Sequence, residues 1–309
     1  MSETTLSIGE LADRAGLPVR TVRFYCDEGL LPVGRSGGGH RRFDPSAVER
    51  LRTIRRLRAL GLGLAAIAGV LDGERSLAEA VAAERAALEV ELSALAWRHA
   101  TLRAVEQAGP AERAARLDLL AAAGNGAAAR DALVGFWRSV IVAPIGGRYL
   151  DGFVALAVPD PPADPTPGQV VAYAEMVALA ADPTLVRRVR ARGRVNARAI
   201  SDEEALMEGV GEAWRLAVPA LAAGAPPAPG AALDRLVAAH AGVRGGRDTP
   251  EFRRHLHAEL TLDQDPRLDR YWRLAARVTG DRLSLGLTHE WLLASLGVSN
   301  RSLRGTGPA

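Results

Sequence analysis

The spacing of apolar positions over the first seventy residues changes in steps that mark out short elements. Ile8, Leu11 and Ala12 form a stripe at helical spacing, opened by Ser7 with Glu10 three residues on, the pattern of a capping box. Ala15 and Gly16 close it, glycine being suited to the positive-φ exit from a helix. After the turn Leu17-Pro18 a second short helix is predicted. Val19, Val22 and Phe24 are expected on its apolar side, with Arg20, Arg23 and Tyr25 near or on its exposed side. Two short helices joined by a tight turn are the arrangement that lays the second helix in a DNA major groove. A helical hairpin of another kind, with its arginines in water, would give the same pattern.

The next segment separates the two readings. Gly29-Leu30-Leu31-Pro32 leaves the helix, and a glycine-rich run, Ser36-Gly37-Gly38-Gly39, lies between two short arms. That reads as a β-hairpin, with Phe43 tucked against the helices as hydrophobic support. Asp44-Pro45-Ser46 then opens a helix with apolar positions 48, 51, 54, 57 and 60 and basic positions 50, 52, 55, 56 and 58. Gly61-Leu62-Gly63 breaks it, and Leu64, Ile67 and Leu71 form a last short helix. Arg20 and Thr21 are expected toward base edges or phosphates. Arg23 is expected on the backbone, and Tyr25 can give its hydroxyl to a phosphate. Arg35, His40, Arg41 and Arg42 stand on the hairpin, where a wing can straddle the phosphates or enter the minor groove.

Taken in order, these motifs resemble the MerR-type transcriptional regulators. The matching signatures are Ile8-Gly9-Glu10-Leu11-Ala12, Thr21-Val22-Arg23-Phe24-Tyr25, Gly29-Leu30-Leu31, the wing end at 39–43 and the stretch 60–67. The resemblance covers residues 6–71 and implies that Arg23 and Tyr25 contact backbone, that Arg41 is the wing arginine with Phe43 supporting it, and that Arg20 meets DNA. It also implies a dimer that bends and untwists an overlong promoter spacer for RNA polymerase, although plain repression stays open. The chain departs from the pattern at Cys26, where an acid is usual, and at Gly63, where Ser or Thr is common. Cys26 reads better as a small packed residue than as a redox sensor, since the chain has no second cysteine.

Residues 76–108 contain no proline or glycine and predict a single helix of about 48 Å. Val81, Leu88, Leu95 and Leu102 recur at seven, with Leu92 supplementing the seam, which suggests coiled-coil pairing. The competing reading packs this helix on the chain's own C-terminal part. A homodimer reading a palindromic operator follows from the first, because one such module touches few bases.

Beyond Gly109-Pro110 the pattern stays helical to about residue 296, with proline-rich loops at 159–167 and 223–230 and a frayed end from 301. The fold class expected is therefore mostly α. A winged helix-turn-helix is expected at 1–72, a coiled-coil dimerisation helix at 73–108 and an all-helical sensing or interaction domain at 109–309. Trp137, Tyr149, Phe153, Tyr173 and Trp214 are candidates to line an effector pocket, and equally what any core recruits. The rival is a protein-interaction domain tethered to DNA and acting without a ligand.

Composition adjusts this picture in a few places. All 39 basic residues are arginine, against 36 acids, so an isolated arginine carries little information. Residues 1–72 hold 11 arginines against 8 acids, which places the positive excess on the DNA-facing module. One cysteine excludes an intrachain disulfide and a cysteine-cluster metal site. His255 and His257 with Glu259 are the nearest approach to a metal set, yet positions i and i+2 of a helix do not face together. No metal or cofactor is expected, no nucleophile–base pair or phosphate loop suggests an enzyme, and no apolar run is long enough for a membrane. A cytoplasmic, nucleoid-associated protein is the expectation.

Overall fold

A computed structural model describes residues 5–35, 40–143, 145–281 and 283–305. The expected glycine-rich turn at 36–39 and the last four residues lie outside them. The chain forms two compact units, Met1–Leu92 and Ser93–Ala309.

In the first unit β1 (Leu6–Ser7) runs into α1 (Ile8–Ala15), followed by α2 (Val19–Asp27), β2 (Gly34–Arg35), β3 (Arg41–Phe43), α3 (Ala47–Ala59) and α4 (Leu64–Leu71). The three strands form one antiparallel sheet in the order β1-β3-β2, with Leu6 opposite Phe43 and Arg35 opposite Arg41. Only the two arms of the hairpin were legible in the sequence. The third strand is too short for a pattern of its own and exists because Phe43 pulls β3 onto the helices. Ser7 closes the capping box: its backbone N–H donates to Glu10 at 2.8 Å, and its hydroxyl accepts from the Glu10 N–H at 3.3 Å. Gly16 exits α1 at φ 65°, where a side chain would be strained.

Leu11, Val22, Phe43, Leu51, Ile54 and Ile67 are sealed from solvent and make one core. Each such side chain stabilises the unit by about 1.5–3 kcal/mol. Leu60, expected on the same stripe as Leu51 and Leu57, is exposed, because α3 ends at Ala59 and Leu60 is its C-cap. Arg50 ties the unit together rather than facing DNA. It donates from Nε to the Leu30 carbonyl at 2.7 Å and from Nη1 to the Leu71 carbonyl at 3.2 Å, and pairs with Asp72 at 2.7 Å.

The unit boundary falls inside α5 (Leu77–Glu106). Trp97, Ala100 and Ala104 on its second half are buried in the core of the second unit, as the competing reading of this helix required. Around them pack α6 (Arg113–Ala123), α7 (Gly126–Val140), α8 (Gly147–Ala157), α9 (Pro167–Ala180), α10 (Pro183–Ala199) and α14 (Pro266–Thr279). A second core in the same unit joins α11 (Glu203–Ala222), α12 (Ala231–Val243), α13 (Pro250–Asp263) and α15 (Leu285–Gly305).

Several helix starts in this unit share one device. Asp182, Thr249 and Asp265 each cap the following backbone, with proline in the first turn. The loop at 159–167 connects two helices of the same core, and the Tyr173 hydroxyl donates to the Pro159 carbonyl at 2.7 Å. The loop at 223–230 is pinned by the Trp291 indole N–H, which donates to the Ala225 carbonyl at 3.0 Å. Where fraying was expected from 301, α15 continues as helix to Gly305.

Because Arg50 satisfies two carbonyls at once, Arg50→Met is expected to destabilise the first unit by about 1–3 kcal/mol. Its denaturant midpoint should fall with no change in slope. Arg56→Met, at an exposed position, should leave the same unfolding curve in place.

Candidate nucleic-acid interface

One turn of α2 separates what the core takes from what solvent sees. Positions 22 and 25 lie on one side at 100° per residue, so Val22 is fully buried and Tyr25 is only 9 % exposed. Phe24 points the other way and is 47 % exposed. The expected roles of the two aromatics are thus exchanged: the Tyr25 ring belongs to the core cluster, and Phe24 stands on the outer face with Arg20 and Arg23. The sequence reading slipped by one residue because Phe24 and Tyr25 are both good core formers. Thr21 is half-buried beside this face.

The sheet brings the second set of cations to the same place. A cleft of about 580 Å³ is lined by Arg23 and Asp27 of α2, by His40, Arg41 and Arg42 of the hairpin, and by Ser7 and Ile8 at the start of α1. Arg41 pairs with Asp27 at 2.9 Å, which fixes the hairpin to the end of α2. Arg20 and Arg23 make no ion pair with a described residue. Arg42 is exposed and lies near enough to Glu10 to help hold that carboxyl below its usual range, although the hydrogen bonds from Ser7 are the main cause. Arg35 sits on β2 in register with Arg41. Phe43, beneath them, is fully buried and anchors β3.

On α3, Arg52, Arg55, Arg56 and Arg58 are exposed. Arg52 pairs with Glu49, and Arg58 donates to the Leu62 carbonyl at 2.9 Å, so two of the four are engaged in the fold. Cys26 is half-buried at the end of α2, and desolvation pushes its thiol up, away from the thiolate that a redox sensor needs.

Val81, Leu88, Leu92, Leu95 and Leu102 are 39, 48, 64, 59 and 62 % exposed, an apolar stripe that no described residue covers. The five aromatics proposed for an effector pocket do not converge. Trp137 is buried in the first core, edge-on to Phe153 at 5.2 Å and stacked on Trp272 at 5.2 Å. Tyr173 packs edge-on against Trp97 at 5.6 Å. Tyr149 lies under the Arg148 guanidinium, and Trp214 packs on the second core. Phe153 and Trp214 do share a cavity, with Trp272. Tyr271 and Trp272 were missed altogether. Their hint was an aromatic pair on a helix, and only the fold shows that the Tyr271 hydroxyl takes the Trp137 N–H at 2.9 Å and donates to the Ala157 carbonyl at 2.8 Å.

A capped helix, a tight turn, a helix with arginines on its outer face and an arginine-bearing hairpin beside it define a winged helix-turn-helix DNA-binding module. Residues 6–74 match the model of the MerR HTH family regulatory proteins. Over 115 residues, 35 % of this chain and 92 % of the relative, the chain is 36 % identical to the HTH-type transcriptional regulator MerD of Shigella flexneri. It is 45 % identical over 67 residues to the HTH-type transcriptional activator TipA of Streptomyces lividans, covering 21 % of this chain and 26 % of TipA. It is also 38 % identical over 87 residues to the nodulation protein NolA of Bradyrhizobium elkanii, covering 28 % of this chain and 40 % of NolA. The chain belongs to the MerR HTH family of transcriptional regulators. It spans well under half the length of NolA and about a quarter of TipA, and those matches are short against this chain too. No solved structure matches it. Among the described residues no helix is long and apolar enough to cross a membrane.

Arg23→Ala and Arg41→Ala are each expected to weaken binding to every duplex by a similar factor and to lower the salt slope of the affinity by about one. Titration of a labelled duplex, selected from a random pool by the wild-type protein, at several salt concentrations measures both. An unchanged slope would remove the residue from the phosphate-contacting set.

Proposed function

We propose that the protein is a homodimeric, sequence-specific DNA-binding transcriptional regulator that responds to a small-molecule effector at its C-terminal unit. The observation that carries this reading is the cleft that gathers Arg23, His40, Arg41 and Arg42 from two separate elements. Arg20 and Thr21, near the start of α2, enter the major groove and meet base edges or phosphates. Arg23 grips the backbone, and the hairpin, with Arg35, His40, Arg41 and Arg42, holds the flanking strand. Tyr25, with its ring in the core, has only its hydroxyl to offer a phosphate. Phosphate contacts supply the salt-dependent part of the affinity, and base edges with DNA deformability supply the sequence preference.

Dimerisation rests on the uncovered stripe of α5. Burying Val81, Leu88, Leu92, Leu95 and Leu102 against the same stripe of a second copy gives an antiparallel pair. It sets two modules on one duplex, whose operator is then palindromic. In this reading the dimer distorts promoter DNA in the manner of the family it belongs to, so that RNA polymerase meets its two elements in register. The site of action is the nucleoid in the cytoplasm.

Leu88→Glu combined with Leu95→Glu is expected to convert the dimer to a monomer, because each leucine contributes about 1.5–3 kcal/mol when buried. Light scattering on the eluting protein reads the mass, and circular dichroism checks that helicity persists in the monomer. The double variant should also lose its preference for a duplex with two half-sites. A wild-type protein that runs as a single chain at micromolar concentration would overturn the dimer.

A further inference from the structure

Helix α10 carries its charge in one sign: residues 183–201 hold six arginines and no acid. Two of the six are met by the fold. Arg188 pairs with Asp265 at 3.2 Å, and Arg192 pairs with Asp263. They lie beside the packed side of the helix, where Leu185 is sealed and Val189 joins the first core. Gly193 is on that side too, and a methyl group there would come within 3.1 Å of the Val142 side chain.

The other four are Arg187, Arg190, Arg194 and Arg198. At 100° per residue they fall within an arc of about 80°, on the side opposite Leu185, Val189 and Asn196. From first to last the helix rises about 17 Å. All four are exposed, and none forms an ion pair or hydrogen bond with a described residue. The acids at the two ends of the helix are occupied: Asp182 caps α10 and pairs with Arg267, and Asp202 caps α11. One such arginine would say little in a chain whose cations are all arginine. Four in a line, left without carboxylates while Arg188 and Arg192 beside them are supplied, form a continuous strip of uncompensated positive charge.

We propose that this strip on α10 is a second DNA-binding surface, which grips the phosphates of a duplex without regard to sequence. A duplex carries one negative charge per about 1.7 Å of its axis, so a strip of about 17 Å faces about ten of them. Guanidinium forks match phosphate oxygens two at a time. Charge must do the attracting, because Val195 is the only large apolar side chain exposed on α10. A protein partner would want an apolar centre to its interface, and a membrane would want aromatic or leucine side chains to bury. A single strand would want aromatic rings for its bases to stack on, and α10 has none. The choice of a duplex among polyanions rests on the regulator reading above, which brings DNA to the chain; the geometry of the strip does not.

Fluorescence anisotropy of a labelled random-sequence duplex, titrated with the full-length protein at several salt concentrations, tests it. Arg187→Gln, Arg190→Gln, Arg194→Gln and Arg198→Gln together are expected to weaken binding about tenfold at low salt and to lower the salt slope by about two to four. Lysine at the same four positions should keep the slope, since a phosphate accepts either cation. A control with glutamine in place of Arg130, Arg138, Arg254 and Arg270 loses the same charge from ion-paired positions and should leave the slope unchanged. Preference for a selected duplex over a random one should survive loss of the strip, because phosphates carry no sequence. If the fourfold change disturbs folding, Arg194→Glu alone should still lower the slope by about one or more. An unchanged slope in the strip variants, or an equal fall in the control, would overturn the proposal. If the slope holds while binding to phosphatidylglycerol vesicles or to poly-glutamate is lost, the strip serves a membrane or an acidic protein and the proposal falls. Arg23→Ala with Arg41→Ala, measured in parallel, keeps the two readings apart. A slope lowered by that pair and not by the strip variants sinks this proposal and spares the N-terminal interface, and the reverse result does the opposite.

Discussion

From Val81 to Leu95 the long helix α5 touches almost nothing in its own chain, and that constraint governs how the rest of the molecule can be understood. An isolated helical stretch of this length is marginal in water, since nucleation is costly and propagation returns little per residue. The segment carries several exposed large apolar side chains and only one local ion pair, Arg85 with Glu89. Such a pair contributes roughly 0.3–0.5 kcal/mol, far less than the burial the leucines invite. The helix is anchored at its ends by Ala80 in the first core and by Trp97, Ala100 and Ala104 in the second. A second surface would stabilise the stretch between, and the seven-residue recurrence of Val81, Leu88, Leu95 and Leu102 is what the proposed second copy of the same helix would match.

Much of the N-terminal unit could be read from residues whose chemistry allows few alternatives. Ser7 with Glu10 and Gly16 at a positive φ each have one economical use, and each is found in it. The prolines expected inside first turns fall just outside them, Pro18 as the N-cap of α2 and Pro45 one residue before the N-cap of α3. The same capping chemistry opens helices far along the chain, at Asp182-Pro183 and at Asp202. Where a residue type has several uses, reading failed. Phe24 and Tyr25 differ by one position and both suit a core, so only the 100° step of the real helix decides between them. The C-terminal aromatics resisted for another reason. Their neighbours are far apart in sequence, as with Trp137 and Tyr271, and no local pattern announces which helices will meet.

An all-arginine chain sharpens that problem. Arg50 looks like its neighbours on α3, yet it holds two carbonyls and a carboxylate and works inside the fold. Arg253 likewise gathers Asp234, Asp248 and Ser299, and Arg267 gathers Asp182 and Asp265. Guanidinium geometry suits this work, because its donors fan out in one plane and reach several acceptors together. What distinguishes Arg20 and Arg23 is that α2 presents them outward while the acids around them are engaged elsewhere, Asp27 with Arg41 and Glu10 with Ser7.

The bridge between Arg41 and Asp27 has a bearing on selectivity. In the proposed mode of binding, a phosphate that meets Arg41 shares the guanidinium with a carboxylate seated 2.9 Å away, and that competition is the same on every stretch of duplex. Such a standing rival trims the sequence-blind share of the attraction and leaves untouched whatever the residues near the start of α2 read from the bases. Under the proposed mode of binding, a charge of the wrong sign beside this arginine is a filter against lingering on DNA the protein has no reason to hold.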